Sequence, residues 1–203
     1  MEPGRFLVVE DEPLAARSVT RVLRQFGTVE TVSSQAAARG AMRQARSWSG
    51  FVIDLCLPDG NGLEVLAEAR ERHPHAKAVL LSGALEHTAI NGAFALDARC
   101  LSKPCRVEHL EQFAREALIA ERELPDRLTR AVRDLAVDHE LTPAETEILI
   151  AAVGGADRRS IVAARQVSKN THKRQVRGML RKTGAMTLGE LRDRVLRSVA
   201  SLA

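Results

Sequence analysis

Phe51-Val52-Ile53-Asp54 is a short apolar run that ends in a carboxylate, and this stretch decides the fold. Three other runs of strand-forming residues also end at polar groups: Arg5–Val9 before Glu10, Ala78–Leu81 before Ser82, and Ala98–Ser102 before Lys103. Strands that alternate with helical patterns predict a parallel α/β sheet. Because ligand sites of such sheets lie at the carboxyl ends of the strands, we expect these polar groups to converge on one edge.

The predicted edge brings together the carboxylates of Glu10, Asp11 and Asp54. Close carboxylates repel one another and favour a bound cation, and Mg²⁺ is suited to the role because it prefers oxygen ligands. Asp54 is then a candidate nucleophile toward a phosphoryl donor. Lys103 can pair with one phosphoryl oxygen, and Ser82 can donate a hydrogen bond to another. The residues therefore predict a magnesium-dependent phosphoryl acceptor.

Residues 4–120 resemble the CheY-like receiver domain of two-component response regulators. The matching positions are Glu10-Asp11, Asp54, Pro58, Gly62, Ser82 and Lys103-Pro104. The resemblance implies a flavodoxin-like, doubly wound sheet of five parallel strands in the order 2-1-3-4-5. It also implies that a histidine kinase phosphorylates Asp54, and that the backbone carbonyl of Cys56 joins Glu10, Asp11 and Asp54 around Mg²⁺.

One position departs from the receiver pattern. Receivers usually carry Tyr or Phe three residues before the lysine, as a rotating reporter of phosphorylation, and this chain has Cys100 there. The switch pair would then be Ser82 and Cys100. A phosphorylation-independent regulator with a weakened switch is therefore an alternative.

Charge is distributed unevenly along the 203 residues. Residues 1–124 contain fifteen Lys or Arg against seventeen Asp or Glu, whereas residues 125–203 contain fifteen against nine. A basic second part suggests a polyanionic partner. The three cysteines fit a reducing cytoplasm. No apolar run predicts a membrane span, and a strand that begins by residue 5 leaves no room for a signal peptide.

We divide the chain into a receiver at 1–121, a linker predicted to be helical at 122–140, and an all-α four-helix domain at 141–203. Pro125 is expected to interrupt the chain and to begin a new helix. Four residues are predicted helix N-caps in the last domain, and four apolar residues form one stripe on its fourth helix. The caps are Thr142, Asp157, Ser168 and Thr187, and the stripe is Leu188, Leu191, Val195 and Val199.

A short helix, a tight turn and a basic helix at 169–183 predict a helix-turn-helix. Lys173, Arg174 and Arg177 are expected to face outward into a major groove of double-stranded DNA. Further contacts are expected from six other polar residues of that helix. These are Lys169, Asn170, Thr171, Gln175, Arg181 and Lys182.

Residues 141–185 resemble the LuxR/NarL-type DNA-binding domain, on a set of matched positions. The set comprises Leu141-Thr142-Pro143, Glu145, Glu147, Leu149, Gly155, Ile161, Val167-Ser168, Thr171, Lys173, Val176, Leu180, Lys182 and Gly184. The resemblance implies a homodimer on phosphorylation or on DNA, with Leu188–Val199 as the dimer contact.

Three positions, His172, Arg165 and Gln175, depart from the DNA-binding family. His172 follows the core stripe and is expected to be partly buried with its hydrogen bonds satisfied. A pH-sensitive helix is the alternative. Arg165 is expected to lay its stem over the core or to reach phosphate.

The sequence favours a cytoplasmic response regulator and transcription factor. A receiver whose second domain binds a protein is a further alternative. We expect no enzyme activity beyond slow self-dephosphorylation, since Cys56 stands where a haloacid-dehalogenase-like phosphatase has its second aspartate.

Overall fold

A computed structural model describes residues 4–44, 47–84 and 87–200. Residues 1–3 and 201–203, at the outer ends of the two predicted domains, lie outside the described residues. The chain divides into two compact units, residues 1–122 and 123–203. Within the described part of the chain, no helix has the length and apolar character needed to cross a membrane.

The first unit alternates strands and helices, as the apolar runs predict. Its elements, in chain order, are β1 Gly4–Val9, α1 Pro13–Leu23, β2 Gly27–Val32, α2 Gln35–Gln44, β3 Gly50–Asp54, β4 Cys56–Leu57, β5 Gly60–Asn61, α3 Gly62–Arg72, β6 Lys77–Ser82, α4 His87–Ala95, β7 Arg99–Ser102 and the first part of α5 Val107–Asp138. Five of the strands form one parallel sheet in the order β2-β1-β3-β6-β7, and β4 and β5 form a small antiparallel hairpin. The predicted five-stranded parallel α/β sheet is confirmed.

The sheet is covered on both faces. Phe6 and Val8 of β1 pack with α1 and α5, while Leu7 and Val9 pack with α2, α3 and α4. This alternation follows from the two-residue period of a strand. The central strands are mostly buried, and all five residues of β3 are. The polar groups that a ligand can reach therefore lie at the carboxyl ends of the strands.

The second unit is helical. Besides residues 123–138 of α5 it contains α6 Pro143–Val153, α7 Arg158–Ala164, α8 Lys169–Thr183 and α9 Leu188–Ala200. The predicted caps form: the hydroxyls of Thr142 and Ser168 and the carboxylate of Asp157 each accept a backbone N–H three residues ahead. The Thr187 hydroxyl does the same for α9. Gly184 ends α8 in a left-handed conformation, with φ of 68°.

The predicted helix start at Pro125 is wrong. Residue 125 lies inside the continuous helix α5. A proline removes one backbone donor from a helix, and here burial on both sides of it keeps the helix intact. Ala117 packs in the core of the first unit, and Leu128 and Val132 pack in the core of the second.

Residues 123–138 are helical, as predicted for the linker, and they pack as part of the second unit. Leu128 and Val132 share a core with Ile148, Leu149 and Met179. Arg127 donates from Nη2 to the carbonyl oxygen of Val199 at 2.8 Å, at the end of α9. A cation at a helix carboxyl end satisfies a free carbonyl and the helix dipole.

The predicted apolar stripe on α9 faces the core of its own unit, and a dimer contact through residues 188–199 stays a prediction. Leu191, Val195 and Val199 are at most 2% exposed and pack inside their own unit. The stripe has helical spacing because the helix covers this core, so its apolar side chains are not available to a second copy.

Candidate phosphorylation site and nucleic-acid interface

The polar groups predicted at one sheet edge do meet there. Ligand oxygens of Glu10, Asp11 and Asp54 all lie within 4.8 Å of one another. Glu10 follows β1, Asp54 ends β3, and Lys103 follows β7. These residues lie at the carboxyl ends of β1, β3 and β7, parallel strands of one sheet whose carboxyl ends share an edge.

Lys103 bridges the two buried carboxylates. Its Nζ lies 2.7 Å from Glu10 Oε2 and 2.9 Å from Asp54 Oδ2, and it donates a hydrogen bond to Glu10 Oε1 at 2.9 Å. Burial acts to lower the pKa of Lys103, but the hydrogen bonds and charges of Glu10 and Asp54 outweigh it and raise that pKa. The ammonium therefore stays charged and holds two acids that would otherwise repel each other.

The Glu10 carboxylate is buried, and its ionisation is disfavoured by this arrangement. Burial raises its pKa, and the nearby charge of Asp54 adds to the effect against the opposing hydrogen bond from Lys103. Among the described residues, its buried Oε2 accepts no hydrogen bond, although Lys103 is close. Three close carboxylates faced by one ammonium group leave a net negative charge, and this arrangement fits a hard divalent cation such as Mg²⁺. Asp11 is exposed and leaves the cluster open to solvent.

The backbone after Asp54 leaves no space for a side chain at Gly62. A Cβ at that position would lie 2.0 Å from the carbonyl oxygen of Asp54. The Gly62 amide donates to the carbonyl oxygen of Leu55 at 2.8 Å, which closes the loop that contains Cys56. This close approach gives the predicted Gly62 a physical role: it brings the start of α3 against the end of β3. The Cys56 residue is exposed, and its carbonyl as a metal ligand stays a prediction.

Ser82 and Cys100 lie on adjacent strands, β6 and β7. Ser82 is 2% exposed, and its hydroxyl donates to the carbonyl oxygen of Ala84 in its own loop. Cys100 is half-buried and packs against the core beneath α2, α3 and α4. The Ser82 hydroxyl is thus engaged within its own loop, and its role as a switch stays a prediction.

Two residues that the sequence reasoning missed hold the β4–β5 hairpin. The carboxylate of Asp59 and the amide of Gln35 connect that hairpin to the start of α2. The pair Asp59-Gly60 is a typical turn sequence for a hairpin, so it was a signal for the turn. It gave no sign of the partner, which lies 24 residues earlier in the chain.

The outer face of α8 is cationic. Four residues of the predicted DNA-reading helix are exposed on one stripe: Lys173, Arg174, Arg177 and Arg181. Lys169 and Asn170, in its first turn, are exposed as well, and the helix contains no acidic residue. Met179, on the opposite face, is fully buried, so the orientation of the stripe is fixed by the core.

Three predicted DNA contacts have partners inside the second unit instead. The Gln175 oxygen accepts a hydrogen bond from Arg165 at 2.9 Å. The Thr171 and Ser168 hydroxyls lie 2.9 Å apart. Lys182 Nζ lies 2.8 Å from Glu145 Oε2 and donates to the Glu140 carbonyl oxygen at 2.9 Å. These side chains are half-buried, so their polar groups are largely committed to the fold.

Arg165 is mostly buried, as the first of its two predicted placements requires. Its Nε pairs with Glu147 Oε2 at 3.2 Å, and its side chain is only 15% exposed. Together with the Gln175 contact, this links α6, the end of α7 and α8. The guanidinium therefore connects three helices of the second unit, and a contact with phosphate stays a prediction.

Glu145 connects the start of α6 to the end of α8. It is 6% exposed, pairs with Lys182, and accepts the Thr142 N–H at 2.8 Å to complete a capping box. Burial acts to raise the pKa of Glu145, but the bonds from Lys182 and Thr142 outweigh it and lower that pKa. Gly178 makes room for this carboxylate, because a Cβ there would lie 2.6 Å from Glu145 Oε1.

His172 is buried but not satisfied, which corrects the expectation of a partnered ring. It is 3% exposed, and its Nδ1 has no hydrogen-bond partner within the described residues. Burial lowers the pKa of His172, and the positive charges of Arg158 and Arg165 lower it further. The folded unit therefore favours the neutral ring.

We expect His172 to make the second unit less stable as the pH falls below about 6.5, the ordinary value for histidine. The unfolded chain binds the proton more readily than the folded one, so stability is present above that pH and decreases by up to about 1.4 kcal/mol per pH unit below it. Glu145 affects this pH dependence only below about 4.5, where its carboxylate begins to take up a proton and its stabilising contribution is lost.

Urea unfolding of the full chain, followed by far-ultraviolet circular dichroism at pH 7.0, 6.0 and 5.5, would measure this effect. In His172→Leu, the urea midpoint of the second unit should change less with pH than it does in the wild type. The exposed histidine variant His109→Leu, in the first unit, is the control. An unchanged slope in His172→Leu would assign the pH dependence to another group.

Comparisons with known proteins identify the family of the first unit. Residues 6–115 match the family model for the response regulator receiver domain. The photosynthetic apparatus regulatory protein RegA of Rhodovulum sulfidophilum is 37% identical over 82 residues, which cover 40% of this chain and 44% of RegA. The nitrate/nitrite response regulator protein NarL of Escherichia coli K12 is 25% identical over 194 residues, 89% of each chain.

Full-length FixJ from B. japonicum has a similar fold over the whole of both chains, with a TM-score of 0.54 and 20% identity. The chain matches less than half of the length of RegA. The match to the family model covers more than half of this chain, and the chain belongs to the response regulator receiver domain family. Its relatives include transcriptional regulators.

Proposed function

We propose that the protein is a two-component response regulator in which phosphorylation of Asp54 by a histidine kinase controls sequence-specific DNA binding by the second unit. The cluster of Glu10, Asp11 and Asp54 beside Lys103 is the observation that carries the proposal. It unites a nucleophile, a place for a divalent cation and a fixed positive charge at one edge of the sheet.

In this proposal Glu10, Asp11, Asp54 and the Cys56 carbonyl would hold Mg²⁺, and the bound ion would offset the negative charge on the transferred phosphoryl group. An Asp54 oxygen attacks phosphorus, and the bond from phosphorus to the donor breaks. The Lys103 ammonium then turns toward a phosphoryl oxygen, since it already lies 2.9 Å from the Asp54 carboxylate. Ser82 exchanges its Ala84 acceptor for another phosphoryl oxygen. No enzyme activity beyond slow self-dephosphorylation is proposed.

A cavity beside Lys103 supports a kinase as the phosphodonor. The cavity, of about 490 Å³, lies between α1 and the start of α5. Leu14, which is 70% exposed, and Val107 give it an apolar rim, and Arg21 adds a positive charge. Lys103 lines the cavity, so a protein domain that docks on this rim would lie beside the residue that pairs with Asp54.

The exposed stripe of α8 supports DNA as the target. Lys173, Arg174 and Arg177 suit guanine edges and phosphates in a major groove. We propose a LuxR/NarL-type helix-turn-helix that binds DNA as a homodimer in the cytoplasm. Because Leu191, Val195 and Val199 pack in the core of their own unit, a contact between copies through α9 would use its exposed face.

The experiment that tests this function is a titration of the full chain against genomic DNA fragments at fixed salt and Mg²⁺, with and without beryllium trifluoride as an acyl-phosphate mimic. Tighter, sequence-selective binding with the mimic is expected. Arg177→Ala should weaken specific binding by about 1–3 kcal/mol, while Gln175→Ala should have a smaller effect, because its oxygen is held by Arg165.

Two other outcomes would change the conclusion. Equal selective binding with and without the mimic would favour the phosphorylation-independent regulator, consistent with a small Cys100 and a Ser82 hydroxyl engaged elsewhere. No selective binding in either state would contradict DNA as the target and would favour a protein partner for the second unit.

A further inference from the structure

We propose that Asp59 and Gln35 are positioning residues for the phosphorylation site. They hold the β4–β5 hairpin that follows Asp54 against the amino end of α2, and so preset the Cys56 carbonyl. The inference rests on the proposed function, because it concerns the metal ligand set of that same site.

Asp59 reaches α2 through both of its carboxylate oxygens. Oδ1 accepts the backbone N–H of Gln35 at 2.7 Å, and Oδ2 accepts that of Ala36 at 3.0 Å. The first amides of a helix lack partners within the helix. A residue from the hairpin therefore acts as the N-cap of a helix that is distant in the chain, and each element restrains the other.

Gln35 makes the second connection, in the opposite direction. Its side chain is 3% exposed, and Nε2 donates to the carbonyl oxygen of Asn61 at 2.8 Å and to Glu64 at 3.2 Å. Asn61 is the antiparallel partner of Cys56 in the hairpin. Gln35 thus restrains the strand that lies directly beside the predicted metal ligand.

Gly60 shows how closely the two elements approach. It has φ of +151°, and a Cβ there would lie 2.4 Å from Gln35 Nε2. The turn is therefore fitted around the Gln35 amide. With the Gly62 amide bound to Leu55, the loop is tied at both ends and at its tip, so the Cys56 carbonyl has little freedom.

The chain offers a matched control for the connection between the hairpin and α2. Ser34 also caps α2, because its hydroxyl accepts the Ala37 N–H at 3.2 Å, but it makes no recorded bond to the hairpin. Ser34→Ala weakens the start of α2 and leaves the connection to the hairpin in place. Asp59→Ala removes both the cap and the connection, and Gln35→Met removes a connection without removing a cap.

Isothermal titration of the full chain with Mg²⁺ alone is the test. Gln35→Met and Asp59→Ala should each raise the dissociation constant by about tenfold, the lower end of the range for residues behind a metal ligand. Ser34→Ala should bind Mg²⁺ as the wild type does. At saturating Mg²⁺, labelling by acetyl phosphate should return to the wild-type rate in both variants, because Asp54 and Lys103 are untouched.

Each contrary result has a distinct meaning. Wild-type Mg²⁺ affinity in Gln35→Met and Asp59→Ala would overturn the positioning role while leaving the proposed function intact. An equal loss in Ser34→Ala would also overturn it, since the effect would then come from the stability of α2. Absence of Mg²⁺ binding in the wild type would overturn the proposed function, and this inference with it.

Discussion

Asp54→Asn is expected to abolish labelling by acetyl phosphate in the presence of Mg²⁺. The amide that replaces the carboxylate has no anionic oxygen with which to attack phosphorus. Its carbonyl oxygen can still accept a hydrogen bond from Lys103, whose Nζ lies 2.9 Å from Asp54 Oδ2. The variant should therefore fold, and the loss should be one of chemistry.

Intact mass and sensitivity to hydroxylamine would measure the labelling, because an acyl phosphate adds a phosphoryl group that hydroxylamine removes. Asp126→Asn, at an exposed position of the second unit, is the control and should label normally. Persistent hydroxylamine-sensitive label on Asp54→Asn would move the nucleophile to another carboxylate, with Asp11 the nearest exposed candidate.

Lys103→Met is expected to destabilise the first unit by about 3–5 kcal/mol in the absence of Mg²⁺, the usual cost of leaving a buried charge unpaired. The side chains of Glu10 and Asp54 are 0% and 8% exposed, and both lie within 2.9 Å of the ammonium that this change removes. Without that charge the two carboxylates repel each other in a medium of low polarity.

Added Mg²⁺ should recover part of this loss, because a ligand that binds only the folded state stabilises it. A lower pH should also recover part of the lost stability. Burial already raises the pKa of Glu10, so the cost of its charge is present at neutral pH and decreases as the group takes up a proton.

The single tryptophan makes the measurement specific. Trp48 is 5% exposed, packs near Phe51, and belongs to the first unit. Its fluorescence during urea unfolding reports on that unit alone. Arg106→Met, an exposed change nearby in the chain, should leave the midpoint unchanged. A midpoint for Lys103→Met equal to the wild type would contradict the ion-pair interpretation.

Local chemistry explains what the sequence could predict. The caps at Thr142, Asp157 and Ser168 form because each needs only a side chain and an amide three residues ahead. The meeting of Glu10, Asp54 and Lys103 was predictable because parallel strands bring their carboxyl ends together whatever the details of packing.

Partners that are distant in the chain explain what could not be predicted. Gln175 and Lys182 have the residue types of DNA contacts, yet Arg165 and Glu145 bind them. Helical spacing identifies an apolar stripe on α9 but not the core that it covers. Pro125 has the chemistry of a helix start, and tertiary burial overrides it.

The helix that passes through residue 125 determines where such proteins can be recombined. A chimera that joins this second unit to a foreign receiver at residue 140 would lose Leu128 and Val132 from its core, and Arg127 from the end of α9. A junction at residue 122 would keep them. Gene fusions that exchange output modules are therefore expected to tolerate the earlier crossover point and to select against the later one.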